Sequence, residues 1–232
     1  MRARYGYSIE TFDIEDEIIS SDNTSRSFSS LIVSSISDHW SLGGSINTGA
    51  GSYSNLKNSL IIMPGIEYDL FPYSEATRRQ LRLLYSIGYN TSAYLDTTIY
   101  NKIKESHPQH SVTAAYEVVQ KWGTIDISLK YSNYLHDWSL NNLSLYGYLE
   151  LRIAKGLSLN LGGGASIIHD QLGLVKGGAT TEEVLLRRKE IATQFSYFTS
   201  FGFSYTFGSI YNNVVNPRFG NSGGGGMMFY SY

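Results

Sequence analysis

The chain has 232 residues, of which 42% are hydrophobic and 16% are charged, and its formal net charge is −2. It has no cysteine, which excludes disulfide scaffolds, thiolate metal sites and cysteine nucleophiles. The near-neutral charge provides no excess of basic residues to bind the phosphates of nucleic acid, so we expect no nucleic-acid partner. No apolar run approaches the length of a transmembrane helix. Residues 1–5 lack the apolar segment that follows the charges of a signal peptide, so an exported form is expected to be the mature chain.

Apolar residues alternate with small or polar residues along most of the chain, and this period of two predicts strands. Leu83 and Ile87 fall on one parity, for example, while Ser86 and Asn90 fall on the other. In chain order the predicted strands are 3–12, 26–37, 39–51, 56–71, 79–95, 109–121, 124–135, 141–154, 157–170 and 188–207. The expected count is ten strands, with twelve as the alternative. Their lengths match the roughly 9–11 residues of a tilted transmembrane strand.

The predicted connections differ between the two ends of the strands. Tight turns are expected at 37–39, 121–123 and 154–156, and a longer turn at 72–78. Long loops are expected at 13–25, 96–108 and 171–187, with a helix-like stretch at 180–192. Mostly tight turns on one rim and long loops on the other are typical of outer-membrane barrels. The predicted fold is therefore all-β, a single antiparallel transmembrane β-barrel over residues 1–207, with the tight turns on the periplasmic side.

The composition of the two strand faces favours lipid over water outside this sheet. A soluble sandwich or ligand-binding barrel carries many charged residues on its outer face, whereas the second face here is mostly Ser, Gly, Asn and Thr. That composition suits a crowded, semi-polar lumen. Aromatic residues at strand ends predict an interfacial girdle, formed by Trp40, Trp122, Trp138, Tyr73 and Phe207. A soluble ligand-binding β-barrel remains the alternative architecture.

The segment Gly202–Phe207 reads GFSYTF and ends an alternating apolar and aromatic strand. In this feature the chain resembles Gram-negative outer-membrane β-barrel proteins. The resemblance is to the class as a whole and indicates no functional subfamily. The resemblance implies an outer-membrane location among lipid and lipopolysaccharide. It also implies that Phe203, Tyr205 and Phe207 form the signal that the barrel-assembly machinery recognises.

The chain departs from this class by continuing beyond Phe207. Residues 208–232 contain the glycine run Gly223–Gly226, which reads as a flexible linker. We expect a periplasmic or lumenal tail whose apolar end docks against a protein partner or plugs the lumen. The alternative is a terminal strand at 227–232.

Charged residues on the lumen parity are the candidate site residues of such a barrel. They are Glu67, Asp69, Arg82, Glu117, Asp126, Lys130, Glu150 and Arg152. Opposite charges on neighbouring strands stabilise a sheet modestly. We expect Arg82 to pair with Glu67 and Asp69, Lys130 with Glu117 and Glu150, and Asp126 with Arg152. This predicts a structural or interaction barrel with a charge-compensated lumen, or else a narrow polar pore.

The histidines do not form a recognisable catalytic pattern. His39 is expected in a tight turn, His107 and His110 in a solvated loop, His136 in a turn and His169 at a strand end. A catalytic set needs a nucleophile, a base and an orienting group within hydrogen-bond reach, which none of these spacings indicates. We therefore expect no enzyme activity, no metal and no cofactor. A hydrolase at the outer-membrane surface is the alternative.

Overall fold

The structure, a computed structural model, describes residues 1–14, 17–176 and 195–206, and only the backbone within 10–22. The described chain contains ten strands and one short 3-10 turn, Tyr73–Glu75. The strands are β1 Arg2–Ile14, β2 Glu17–Ser35, β3 Trp40–Gly51, β4 Leu56–Asp69, β5 Arg79–Tyr94, β6 Lys104–Gln120, β7 Gly123–Tyr134, β8 Asp137–Ala154, β9 Leu157–Ile168 and β10 Phe195–Tyr205. No described helix is long and apolar enough to cross a membrane.

All ten strands form one antiparallel sheet in which each strand pairs with its neighbours in sequence. The all-β class, the antiparallel pairing and the count of ten are therefore confirmed. Within the described residues, β1 pairs only with β2 and β10 only with β9, so the sheet is not closed. The closed transmembrane barrel stays a prediction.

Contacts between distant connections show that the sheet is strongly curled. The side-chain Nδ2 of Asn55, between β3 and β4, donates to the carbonyl oxygen of Gly173, which follows β9, at 3.0 Å. Thr98, between β5 and β6, forms an isolated bridge with Val175. A flat meander would hold these segments several strand widths apart, because adjacent strands lie about 4.8 Å from each other. The sheet therefore has a concave and a convex face.

The connections define two rims. The tight-turn rim joins β2 to β3, β4 to β5, β6 to β7 and β8 to β9, and the loop rim carries the other connections. The long first loop predicted at 13–25 is wrong, because β1 reaches Ile14 and β2 begins at Glu17. The next long loop is residues 95–103 rather than 96–108, because β6 begins at Lys104 and continues through Pro108. The predicted helix-like stretch at 180–192, the start of strand 188–207 and the tail 208–232 lie outside the described residues.

The apolar face of the sheet is exposed and the polar face is enclosed, which is the reverse of a water-soluble sheet. On β5, Leu83 and Ile87 on the convex face are 50% and 45% exposed, while Ser86 and Ser92 on the concave face are 9% and 7% exposed. The apolar side chains thus point outward and the small polar ones are enclosed by the curl. Among the described residues, the buried hydrophobic cluster lies at the loop rim and consists of Tyr94, Tyr134, Leu140 and Leu172, with Leu56 packed against it.

Candidate functional site

The predicted charge pairs on the concave face begin with Glu67 and Arg82 on β4 and β5. Nη1 of Arg82 lies 3.8 Å from Oε2 of Glu67. Asp69 is directly opposite Arg82 in the register. However, its Oδ1 accepts backbone N–H bonds from Phe71 and Leu81, each at 3.1 Å. Asp69 therefore closes the turn between β4 and β5.

The register separates the charges that were expected to pair on β6, β7 and β8. Glu117 lies opposite Asp126, which places two carboxylates side by side. Lys130 lies opposite Thr113 on β6 and Ser144 on β8, four residues along β7 from Asp126. The expected cross-strand pairing of Lys130 with Glu117 and Glu150 is therefore wrong. The parity of these residues was assigned correctly, but parity alone leaves the register open.

The remaining two charges lie next to each other on β8. Nε of Arg152 is 4.0 Å from Oε1 of Glu150 on the same strand. Asp126 faces Tyr148 across β7 and β8 rather than Arg152, so that predicted pair is also wrong. These partly exposed pairs contribute little individually, because exposed ion pairs are worth about 0–1 kcal/mol.

The predicted girdle residues lie at both ends of the sheet. Trp40 begins β3 and Trp122 lies between β6 and β7, both at the tight-turn rim, as does Tyr73. Trp138 is the second residue of β8 and lies at the loop rim. All four are exposed. Phe207 lies outside the described residues.

The described part of the predicted assembly signal is Phe203 and Tyr205 on β10. Both side chains are exposed. They lie opposite Leu159 and Leu157 of β9. Phe207, the third residue of that prediction, lies outside the described residues.

A cluster of ionisable and aromatic side chains that the sequence analysis missed lies on the concave face below the loop rim. We call Tyr94, Glu105, His107, Tyr134 and His136 the imidazole cluster. The Glu105 side chain is only 8% exposed. It accepts a hydrogen bond from the hydroxyl of Tyr94, and its Oε2 lies 2.9 Å from Nε2 of His107. Because a carboxylate only accepts, Nε2–H of His107 is the donor.

The ring of His107 also stacks on the ring of His136. Their centroids are 3.7 Å apart and the planes differ by 14°. Tyr134 contacts both imidazoles, with its centroid 5.9 Å from that of His107 and 5.8 Å from that of His136. Nδ2 of Asn90 donates to the Tyr134 hydroxyl at 2.9 Å. The cluster thus connects β5, β6, β7 and the turn before β8.

The pKa of the His136 imidazole is lowered below its ordinary value of about 6.5. The first cause is the desolvation of its ring, and the second is the positive charge of the neighbouring His107. Each effect disfavours the protonated form of His136. The charges of Asp137 and Glu105 act in the opposite direction, but the pKa is lowered on balance.

The alternation pattern does not reveal this cluster, because Pro108 predicts the end of a loop. Proline lacks a backbone donor and usually marks an edge or a break in a strand. Here β6 continues through it, and Tyr89 lies opposite Pro108. Extending the period of two upstream from Glu117 would have placed Glu105 and His107 on the lumen parity.

The expectation of solvated loop histidines is wrong for His107 and His110, since both lie within β6. Residues three apart on a strand point to opposite faces, so these two imidazoles do not converge on one metal. Ring contacts of His110 are instead with Tyr85, Tyr131 and Trp138. Nδ1 of His39 lies 2.7 Å from the Asp69 carbonyl oxygen at the tight-turn rim.

His169 and Asp170 each have a separate polar neighbour on β8. Nδ1 of His169 lies 3.3 Å from Oδ1 of Asn141, while Asp170 accepts from Asn142 at 3.4 Å. In the part of the chain that the structure describes, no group of three or more His, Cys, Asp or Glu side chains is arranged to hold a metal ion.

Searches against protein families, curated proteins and solved structures gave no match to this chain. The functional interpretation therefore depends on the geometry of the sheet, its rims and the imidazole cluster.

Proposed function

We propose that this protein is an integral outer-membrane β-barrel with a narrow polar lumen and a structural or interaction role. The observation that carries this proposal is the exposure of the apolar convex face. Large contiguous apolar surfaces are rare on soluble monomers and mark contact with a partner or a membrane. A sheet that exposes Leu83, Ile87 and Leu129 outward while enclosing serines suits hydrocarbon outside and polar groups inside.

The positions of the aromatic side chains support the same proposal. Tryptophan and tyrosine favour the boundary between hydrocarbon and water, where the ring is apolar and the N–H or O–H is wet. Trp40 and Trp122 at one rim and Trp138 at the other lie one strand length apart. In the proposed barrel, β1 and β10 pair with each other, because lipid offers no partner for their backbone groups.

The contents of the concave face favour an interaction or structural role over an open pore. Polar side chains meet across non-adjacent strands, as when Nδ2 of Asn90 on β5 donates to the hydroxyl of Tyr134 on β7 at 2.9 Å. The connections of the loop rim also bond to one another above the imidazole cluster. A barrel of about ten strands is largely filled by its side chains. Single-channel conductance in planar bilayers distinguishes the narrow polar pore from this role.

Two adjacent residues of β7 provide the test of the membrane proposal. Leu129 is convex and 43% exposed near the strand centre, while Ser128 faces the concave side. In lipid, Leu129→Lys should cost about 2–4 kcal/mol, because lysine at mid-bilayer is strongly disfavoured, and Ser128→Lys should cost much less. The measurement is urea unfolding of protein folded into phospholipid vesicles, with heat-modifiable gel mobility as the criterion for the folded form.

In a water-soluble sheet the order would reverse, because an exposed leucine tolerates lysine and an enclosed serine does not. Equal stability of Leu129→Lys and the parent protein in vesicles would contradict the proposal. So would a parent protein that is monodisperse in buffer without detergent.

A further inference from the structure

Three connections of the loop rim bond to one another and form what we call the cap, residues 52–55, 95–103 and 169–176. Asn55 links them: its Nδ2 donates to the carbonyl oxygens of Asp96 and Gly173, each at 3.0 Å. The backbone N–H of Ile99 donates to Leu174 at 2.8 Å, and that of Lys176 to Thr97 at 2.7 Å. The cap is therefore an ordered layer over one end of the concave face.

The cap rests directly on two members of the imidazole cluster. Leu172 of the cap belongs to the same buried apolar cluster as Tyr94 and Tyr134. The other faces of these two tyrosines contact the ionisable groups, since Tyr94 donates to Glu105 and Tyr134 packs against both imidazoles. Tyr94 and Tyr134 therefore connect the imidazole cluster to the apolar surface on which the cap rests.

We propose that the imidazole cluster is an acid-sensitive latch, in which protonation of both His107 and His136 separates the stacked rings and releases the cap from the concave face. This inference rests on the proposed barrel, in which the cap covers one mouth of the lumen. Two imidazolium rings at a centroid distance of 3.7 Å repel each other, although His136 is exposed to solvent that screens part of this repulsion.

Two carboxylates lie beside the stack. Glu105 on β6 contacts His107. Asp137 on β8 follows His136, and both carboxylate charges favour the protonated form of His136, but the pKa of His136 is lowered on balance because desolvation and the charge of His107 are the larger effects. Asp170 after β9 accepts from Asn142. Tyr94 on β5 and Tyr134 on β7 carry no charge at neutral pH.

The direction of the pH dependence follows from the lowered pKa of His136. A base whose pKa is lower in the closed state than in the open state binds fewer protons when closed. Neutral His136 therefore stabilises the closed state above the ordinary histidine pKa of about 6.5. This stabilisation is lost as the pH falls through the lowered pKa of His136. Acid therefore opens the latch, and neutral pH closes it.

Hydrogen exchange of the full chain folded in detergent micelles at pH 7.5 and pH 5.0 tests the latch. After correction for the intrinsic rate, amides of residues 95–103 should exchange several-fold faster at the lower pH, because the lowered pKa of His136 makes its protonation favour the open state. Peptides from the central parts of β5 to β7 should keep their protection.

The His136→Phe variant retains an aromatic ring but cannot be charged, so its cap should stay protected at pH 5.0. His136→Gln provides a second uncharged variant if phenylalanine prevents folding. His169→Phe is the matched control, because His169 lies on the same rim outside the stack, and it should keep the acid response. Equal cap exchange at both pH values, or an acid response that survives in a folded His136 variant, would overturn the latch. Failure of the barrel itself is distinct, because heat-modifiable mobility and strand protection would then be absent at both pH values.

Discussion

Asn55 bonds to two other connections of the loop rim. Its backbone has a φ of +56°, in the left-handed region that asparagine tolerates better than most residues. Its side chain makes three bonds, two as donor and one in which Oδ1 accepts from the Asp96 N–H at 2.8 Å. The residue is almost fully buried, so water does not replace these bonds.

Replacing Asn55 by glycine should therefore destabilise the cap without introducing backbone strain. Loss of three bonds at about 1 kcal/mol each predicts about 2–3 kcal/mol of local stability. The measurement is hydrogen exchange of residues 95–98 at neutral pH. Asn101→Gly is the matched control, because Asn101 also has a positive φ of +58° but is exposed, and its side chain accepts one exposed hydrogen bond, from Lys176. Similar exchange in the two variants would show that the Asn55 side chain does not hold the cap.

At the scale of the elements, β4 and β5 approach each other closely beside Pro64, which offers no N–H to the ladder. A Cβ on Gly88 would lie 1.9 Å from the carbonyl oxygen of Ile62. A Cβ on Gly147 of β8 would meet nothing within 4 Å. The structure thus has no room for a side chain at Gly88 but has room for one at Gly147.

We expect Gly88→Ala to impair folding and Gly147→Ala to be tolerated. A contact of that length to a backbone atom forces the two strands apart, and overpacking of this kind typically costs about 1–3 kcal/mol or more. The fraction of heat-modifiable protein after refolding in detergent measures the effect. Equal refolding of the two variants would mean that β4 and β5 are less closely packed than described.

Most strands were predictable because alternation is a local property. The segments that begin at Leu56, Arg79 and Leu157 were placed within two residues of their observed starts. The start of β2 was missed because residues 17–23, EIISSDN, do not alternate, and β6 was shortened at Pro108. The pair of Arg82 with Glu67 was predictable, whereas the charge pairs expected among β6, β7 and β8 were wrong because they depend on register. The cap was not predictable, because it joins residues as far apart as Asn55 and Gly173.

At the scale of the whole molecule, the two edge strands share one property. The exposed aromatic residues Tyr5 and Tyr7 of β1, and Tyr197 and Phe201 of β10, all lie at odd positions on the convex side. In a closed barrel β1 and β10 would pair along a line that we call the seam. The two faces stay continuous there only if odd residues oppose odd residues, because a slip of one residue exchanges the faces.

Engineered cysteines should therefore cross-link the seam in an intramolecular disulfide, on a chain that has no native cysteine. We propose Tyr7→Cys combined in turn with Phe195→Cys, Tyr197→Cys and Thr199→Cys, oxidised in detergent after refolding. One pairing should react fastest, since a disulfide requires Cα atoms about 4.4–6.8 Å apart. The control Tyr7→Cys with Ser166→Cys on β9 should not react. Absence of intramolecular cross-links in all three pairs would contradict closure through β1 and β10.

The strict sequence-neighbour order of the sheet also has a kinetic consequence. Every observed strand pairing joins segments separated by a single connection, so the sheet can grow one hairpin at a time at a low entropic cost of loop closure. Joining β1 to β10 is different, because it brings together segments at opposite ends of the described chain. We therefore expect closure of the seam to be the slowest step of folding, and an open sheet with paired hairpins to be the last intermediate before it.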